Sequence, residues 1–270
     1  MRTAFTLIPD LRVMATACHV SIVSTFRAVP PWLWAIQVFA LAVFQMSFFV
    51  LLVGVGESPG IDVEYVALGN ALFSVVYASV YSICSVPGVE KHAGTLPLIM
   101  ATPTRLFTVF IGLSLFQILC SLLTVIVSLS VASSLSWIDL GGVDASSFAC
   151  VVLVTSFSMA GFGLMLSSIG LFLRSASVLA SLAVYVTLVL CGANFPISLL
   201  PNYLQALSNA IPITYGLQAL REVAVGGGLE QIYPSIGAML LIGAALYGLA
   251  YLAFKRFERM ARITGSMDLF

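Results

Sequence analysis

"LFTVFIGLSLFQILCSLLTVIVSLSVAS", residues 106–133, contains no charged side chain. A helix needs about 20 mostly apolar residues to cross the hydrocarbon core of a bilayer, and this stretch exceeds that length. Hydrophobic residues make up 60% of the 270-residue chain and charged residues only 8%. A soluble domain is less apolar, at roughly half. The stretch therefore predicts a membrane-spanning helix, and the composition predicts several more.

Apolar runs bounded by polar residues, proline or glycine predict six spans within one transmembrane domain that covers residues 1–270. The spans lie near 32–55, 64–87, 106–133, 146–172, 176–194 and 235–254. The segment 195–233 is also apolar, but prolines and the glycines at 226–228 interrupt it. We therefore predict an all-α polytopic membrane protein in which this segment forms re-entrant or interfacial helices on the outer side, before the last span.

The basic residues are distributed unevenly between the two sides of this topology. One side holds both termini and Arg2, Arg12, Arg27, Lys91, Arg105, Arg174, Lys255, Arg256, Arg259 and Arg262, whereas only Arg221 falls on the other. Lys and Arg favour cytoplasmic loops. We therefore expect a multi-pass protein of the cell membrane with both termini in the cytoplasm.

The residue types present also bear on function. The chain has no G-x-x-x-x-G-K-[ST] phosphate loop, so ATP and Mg would be bound by a separate subunit, and no cofactor is expected on this chain. No predicted span carries an acid or base at mid-depth, where proton-coupled transporters usually have one. The five cysteines are scattered singly, which predicts free thiols, not a metal site. There is no catalytic pairing of residues and no basic patch for nucleic acid.

Residues 7–27 precede the first span and show a helical apolar stripe, formed by Leu7, Leu11, Met14, Cys18, Ile22 and Phe26. This pattern predicts an amphipathic helix lying among membrane lipids at the cytoplasmic interface. The alternative is a secretory signal peptide, but Asp10 and Arg12 interrupt the apolar stretch that it would need.

The loop "EKHAGTLPLIMATPTR", residues 90–105, joins the second and third predicted spans. Gly94 permits a turn, Thr95 can cap a helix, and Pro97 is tolerated in a first helical turn. Pro103 disfavours helical geometry at the residue before it. The result is a helix of about two turns, which is too short to be stable alone. Its apolar residues face either the membrane surface or a groove in a soluble partner.

This loop resembles one in the permeases of the ABC-2 type transporter family, where a glutamate, a Gly-Thr-Leu and a Thr-Pro follow the second span. The resemblance implies a coupling helix that seats in a cleft of an ATPase subunit. The residues that it points to are Glu90, Gly94, Thr95, Leu96, Ile99, Met100, Thr102 and Pro103. Pro97 departs from the acidic residue usual in the family, which removes any salt bridge from that position.

A second stretch, residues 194–227, resembles the segment between the fifth and sixth spans of the same family. The residues that it points to as an outer gate are Phe195, Pro196, Ser198, Pro201, Pro212, Tyr215 and Arg221. Broken helices at membrane depth are tolerated only where protein or water satisfies their backbone groups. These residues therefore line the outer mouth of a pathway or form a surface loop without a gating role. Arg221 is expected to pair with Glu222 or to reach water.

Small residues recur at four-residue or similar spacing in three spans and permit close helix approach. They are Ala160, Gly163, Ser167, Gly170, Ser177, Ser181, Ala244 and Gly248. Packing within the chain is one use of this spacing. The resemblance also implies a permease dimer with the fifth span near its interface.

Together these features predict the membrane subunit of an ATP-driven exporter. Its partners would be an ABC ATPase subunit and a second permease copy or paralogue. The predicted spans would line the transport pathway without fixed charge. Such a pathway suits an apolar or amphipathic cargo such as a drug, an antibiotic, a peptide or a lipid, taken from the cytoplasm or the inner leaflet. The alternatives are a permease for a lipid-linked polysaccharide and a non-transporting membrane anchor or immunity protein.

Overall fold

A computed structural model describes residues 4–55, 62–102, 104–138, 144–173 and 175–264, and every regular element in these ranges is helical. The α-helices are α1 (Ala4–Ala28), α2 (Pro31–Val55), α3 (Val63–Val75), α4 (Ser82–His92), α5 (Leu96–Ala101), α6 (Leu106–Ser134), α7 (Ala145–Gly170), α8 (Ala176–Leu190), α9 (Asn202–Ser208), α10 (Pro212–Ala224) and α11 (Leu229–Thr264). A π-helical turn, Val76–Tyr81, joins α3 to α4, and a 3₁₀ turn, Ile197–Leu199, precedes α9. The all-α prediction is confirmed.

Five helices of the described ranges are long and apolar enough to cross a membrane. They are Pro31–Gly54, Val63–His92, Leu106–Ser134, Ala145–Gly170 and Glu230–Ile263. The predicted fifth span, 176–194, forms a helix of only 15 residues, α8. At 1.5 Å per residue this helix is about 22 Å long, shorter than the roughly 30 Å hydrocarbon core. It ends there because Gly192 takes a positive φ of 79°, which favours glycine and turns the chain.

The helix α7 lies at the centre of the bundle and contacts α4, α6, α8, α10 and α11. It begins at Asp144, whose carboxylate accepts hydrogen bonds from the amides of Ser146 and Ser147 at 3.3 and 3.1 Å. Hydrogen bonds from the hydroxyls and amides of Ser147 and Ser146 hold the pKa of Asp144 at about 2. This side chain therefore caps the free amides that every helix N-terminus presents.

Small residues of α7 allow its neighbours to approach closely, as predicted for packing within the chain. A Cβ atom on Gly163 would lie 3.1 Å from the Cβ of Ile83, and one on Gly161 would lie 2.8 Å from the Tyr247 ring. The prediction is wrong for α11: Ala244 and Gly248 are exposed, and Gly248 has no neighbour within 4 Å of its Cβ position. Gly243 makes the contact instead, because it faces Ser158 of α7.

The helix α1 packs against α6 through small side chains. Ala17 and Ser21 are buried, and a Cβ on Gly112 would lie only 2.6 Å from the Cβ of Ala17. Leu11 of the predicted apolar stripe lies outside this contact and is 60% exposed. Small residues let the two backbones approach, so they occupy the contact in place of a larger leucine. Nearer the end of α1, Phe26 packs edge-on against Trp34 and Phe116.

Two apolar clusters stabilise the bundle. The larger cluster packs α3 and the π-helical turn against α7 and α10, with Leu72, Phe73 and Leu217 almost completely buried. The smaller cluster lies toward the other end and joins α4, α6, α7 and α11 through Ile83, Phe110, Leu164 and Phe254, among others. Lipid tails are as apolar as these side chains, so van der Waals packing between the helices, and not exclusion of water, holds the clusters together. Two candidate functional segments border these clusters: the turn between α4 and α5, and the broken helices between α8 and α11.

Candidate functional site

The turn between α4 and α5 is a Schellman motif, a common way to end a helix. The Thr95 amide donates to the Glu90 carbonyl at 3.0 Å, and the Gly94 amide donates to the Lys91 carbonyl at 3.1 Å. Gly94 has a φ of 68°, in the left-handed region that other residues rarely occupy. The motif therefore explains why glycine stands between the two helices.

Glu90 and Thr95 are joined a second time through their side chains. The Thr95 hydroxyl donates to the Glu90 carboxylate and also reaches the Glu90 carbonyl at 3.2 Å. The predicted capping role of Thr95 is wrong in its detail: Thr95 occupies the N-cap position of α5, but its side chain caps no amide there. Its hydroxyl is engaged by Glu90, so it fixes α5 to the end of α4.

The short helix α5 lies with one face on the smaller apolar cluster. Leu96 is buried at 7% exposure, and Ile99 and Met100 are half-buried against the same cluster. Leu98 points away and is 68% exposed. Of the apolar residues between 96 and 100, Leu98 therefore offers the largest free surface, and it was not among the residues that the sequence singled out.

A groove of about 590 Å³ separates α5 from α1. Its walls are mainly apolar, with Val13, Val20, Leu98 and Ile99 among the lining residues and Glu90 at its edge. Beyond α5, the Thr102 hydroxyl donates to the Ile99 carbonyl at 2.6 Å and ends the helix. Pro103 lies outside the described residues.

Lys91 links the same turn to the end of the central helix. Its Nζ donates to the carbonyls of Leu171 and Leu173, at 2.6 and 3.0 Å. These carbonyls follow the last residue of α7, where helices leave acceptors without partners and favour a cation. The turn between α4 and α5 is thus tied to the turn between α7 and α8. Local sequence patterns do not indicate this contact, because 80 residues separate Lys91 from Leu171.

At the opposite end, side chains satisfy the backbone of the broken helices that follow α8. The Ser208 hydroxyl donates to the Leu190 carbonyl at 2.6 Å, and the Thr214 hydroxyl donates to the Ser208 carbonyl at 2.8 Å. Gln205 donates to the Leu200 carbonyl at 2.7 Å. These bonds are what allow non-helical backbone beside an apolar bundle.

Arg221 of α10 holds the end of α8. Its Nη2 donates to the Gly192 carbonyl at 2.9 Å, and its Cζ lies 3.5 Å from the centre of the Tyr65 ring. The expected pairing of Arg221 with Glu222 is not found among the described residues, since the guanidinium turns inward onto the Gly192 turn. Burial lowers the pKa of Arg221. Its Nε has no hydrogen-bond partner among the described residues.

Two further residues of α3 contact the same turn. Asn70, almost fully buried, donates to the Asn194 side-chain oxygen at 2.7 Å. A Cβ on Gly69 would lie only 2.1 Å from the Ala193 carbonyl, so glycine is needed for the backbones to touch there. Tyr65, Gly69 and Asn70 thus form one cluster of contacts with Arg221 and the Gly192 turn, although local sequence patterns did not indicate them.

The other predicted gate residues do not converge on one point. Pro212 is buried at the start of α10, and Phe195, Pro196 and Tyr215 are half-buried. Ser198 and Pro201 are exposed on the outer surface. Only Arg221 and the Gly192 turn form a compact set of contacts.

An uncharged cavity of about 250 Å³ lies between α2, the π-helical turn and α6. Tyr77 and Tyr81 stack in its wall with their rings 5.1 Å apart. Trp34, Gln37 and Gln117 contribute further aromatic and amide groups. π-Helical turns occur often at functional sites, and this one presents both tyrosines to the cavity.

Comparison with known proteins gives a consistent family match. The family described as "ABC-2 type transporter" matches residues 16–225, a range that includes the turn between α4 and α5 and the broken helices up to α10. The chain is 21% identical over 201 residues to the "Probable multidrug ABC transporter permease YbhR" of Escherichia coli, which covers 74% of this chain and 54% of the relative. A match to the "Uncharacterized protein YhgE" of Bacillus subtilis has 29% identity over 68 residues, or 25% of this chain and 9% of that protein.

The chain spans about half the length of the Escherichia coli permease that it matches. The family match covers most of the chain and agrees with a bundle of long apolar helices. The chain is therefore a multi-pass membrane protein that belongs to the ABC-2 type transporter family.

Proposed function

We propose that this chain is the membrane-spanning permease subunit of an ATP-driven exporter, which moves an apolar or amphipathic molecule out of the cytoplasm or the inner leaflet. The observation that carries the proposal is the turn between α4 and α5. There Glu90 and Thr95 fix a short helix that exposes Leu98 beside an apolar groove. The multidrug permease named above supports a drug-like cargo by analogy.

The ATPase subunit would bind ATP and Mg and would seat on α5 and the groove beside it. Closure of the ATPases would push α5. The bonded turn of Glu90 and Thr95 would carry that movement to α4, and Lys91 would carry it to the turn between α7 and α8. Because α8 ends in the turn held by Arg221, the same movement would reach the outer gate.

We assign six spans, with α8 as the fifth. The short helix α8 and the broken segment after it would together reach the outer membrane surface. Both termini would be cytoplasmic, because this orientation places the basic residues on the side that they favour. A second permease copy or a paralogue would pack on the exposed apolar face of α8, formed by Val178, Leu182, Tyr185, Val186 and Val189.

The uncharged cavity beside Tyr77 and Tyr81 supports a cargo without a fixed charge. Ligand pockets for drug-sized molecules usually measure roughly 300–1,000 Å³, so about 250 Å³ would hold one part of the cargo. A lipid-linked polysaccharide would need a wider path with many hydroxyl partners.

Co-purification tests the proposal. The affinity-tagged chain should retain an ATPase subunit encoded beside it, and the ATPase rate should rise in the complex. Transport by this complex should require ATP and should persist when an uncoupler collapses the proton gradient, because no predicted span carries a mid-depth carboxylate. Failure to retain any ATPase would favour a membrane anchor or immunity protein.

A further inference from the structure

A cavity of about 420 Å³ lies between the start of α6 and the last turns of α11 and shares no lining residue with the groove beside α5. Its lining residues are Arg105, Phe107, Tyr251, Lys255, Glu258, Arg259 and Arg262. Four of these seven side chains are cationic and one is anionic. No part of the mechanism proposed above uses this cavity.

The spacing of the residues on α11 explains the cavity. Tyr251, Lys255, Arg259 and Arg262 follow one another at three or four residues, so they lie on one face of the helix. Opposite them, Arg105 stands at the N-cap of α6, and Phe107 packs edge-on against Tyr251 with ring centroids 5.3 Å apart. The cavity therefore has an aromatic end and a charged end.

Within the described residues, a carboxylate balances only one of the four cations at the charged end. Glu258 pairs with Arg262 at 2.5 Å and neutralises that charge. Arg105, Lys255 and Arg259 are exposed and form no ion pair within the described part of the chain. Three positive charges are therefore available to an anion.

In the proposed orientation, the two ends would lie at the depths of the two parts of a phospholipid. Tyr251 belongs to the last apolar stretch of α11, and Lys255 follows it by one turn, or about 6 Å along the axis. Arg262 lies roughly 16 Å beyond Tyr251. An acyl chain could therefore pack on the rings of Phe107 and Tyr251 while its phosphate lies among the cations.

We infer that this cavity binds the headgroup of an anionic phospholipid, with the phosphate contacting Arg105, Lys255 and Arg259. The inference rests on the proposed orientation, which places this end of α11 at the cytoplasmic leaflet. Basic pockets between membrane helices on that side commonly take lipid phosphates. The aromatic end favours a lipid over a soluble protein surface, because its rings lie in the apolar part of the helix bundle.

Lipid titration of the purified chain in detergent tests this inference without any ATPase. Dioleoyl phosphatidylglycerol and dioleoyl phosphatidylcholine, which share their tails, would be titrated and followed by native mass spectrometry. The wild type should bind the anionic lipid more tightly. Lys255→Gln with Arg259→Gln should weaken that binding about thirtyfold, on the basis of the attraction that each basic residue contributes, and should leave phosphatidylcholine binding unchanged.

Arg27→Gln with Arg256→Gln is the matched control, because both residues are exposed and lie outside the cavity. Equal melting temperatures of the variants would establish equal folding. Three results would overturn the inference: equal weakening by the control pair, displacement of the lipid by inorganic phosphate alone, or unchanged lipid binding by the Lys255 and Arg259 variant. If that variant lost a co-purifying ATPase with its lipid binding intact, the cations would belong to the ATPase interface instead.

Discussion

The guanidinium carbon of Arg221 lies 3.5 Å from the centre of the Tyr65 ring, and both side chains donate a hydrogen bond to the Gly192 carbonyl. The two bonds measure 2.9 Å from Arg221 and 3.1 Å from Tyr65. Through this pair, α3 and α10 hold the turn that ends α8. The start of the broken segment after α8 is therefore fixed by contacts between residues far apart in the sequence.

Arg221→Met should loosen this turn. The substitution removes a charge-assisted hydrogen bond and a cation–π contact, which together stabilise the folded protein by about 2–4 kcal/mol. We expect a lower melting temperature in detergent and a loss of transport. Tyr65→Phe keeps the ring and removes only the hydroxyl, so it should lower the free energy of unfolding by less, about 1 kcal/mol. An Arg221→Met protein that melts and transports like the wild type would show that this contact has no structural role.

Glu90 and Thr95 should act as one unit. Glu90→Gln weakens the hydrogen bond between the two side chains, and Thr95→Val removes it. The double variant should therefore lower the free energy of unfolding little more than Thr95→Val alone. The expected coupling is about 1–2 kcal/mol, because one partner is charged. A double-mutant cycle on the melting temperature and on ATPase retention measures it. Strictly additive effects would mean that the two side chains do not depend on each other.

Lys91→Met should separate ATP hydrolysis from transport. The variant loses the bonds to the Leu171 and Leu173 carbonyls, yet its α5 surface is unchanged. We expect the ATPase to bind normally while transport per ATP hydrolysed falls. Lys91→Arg, which keeps donors near those carbonyls, should restore part of the coupling. Normal transport by Lys91→Met would remove Lys91 from the proposed path of movement.

The orientation of the chain can be tested by cysteine labelling. In a background without the five native cysteines, Ser58→Cys should react with an impermeant maleimide added outside intact cells, and Ser266→Cys should react only after lysis. The basic residues near the C-terminus favour the cytoplasm. The opposite labelling pattern would reverse the proposed topology.

Five of the six predicted spans coincide with long apolar helices, because hydrophobicity and helix length are local properties of the sequence. The stretch 106–133 is found within α6, Leu106–Ser134, and the short helix before Thr102 is found as α5. The early end of α8 was harder to predict, since Leu188 and Val189 continue the apolar run. It depends on the conformation of Gly192 and on hydrogen bonds from Ser208 and Arg221.

The contacts that organise both candidate sites could not be read from local patterns. Lys91 and Leu171 are 80 residues apart, and their contact depends on how α4 packs on α7. The buried face of α5 was equally undetermined. A helix of six residues has no periodicity long enough to distinguish Leu96, which is buried, from Leu98, which is exposed.

The central claim is that α5 receives the ATPase, and Leu98→Asp tests it most directly. Leu98 is 68% exposed, so the change should leave the fold intact. An Asp at Leu96, Ile99 or Met100 would instead disturb the chain's own apolar cluster. Ile263→Asp is the matched control, because Ile263 is 76% exposed at the end of α11, distant in sequence from the groove.

The decisive measurement is the amount of ATPase that co-purifies with each variant at equal membrane insertion and equal melting temperature. Burying an unpaired carboxylate in an interface costs several kcal/mol. Leu98→Asp should therefore lose most of the ATPase, whereas Ile263→Asp should retain it. Full retention of the ATPase by Leu98→Asp would contradict the coupling role of α5.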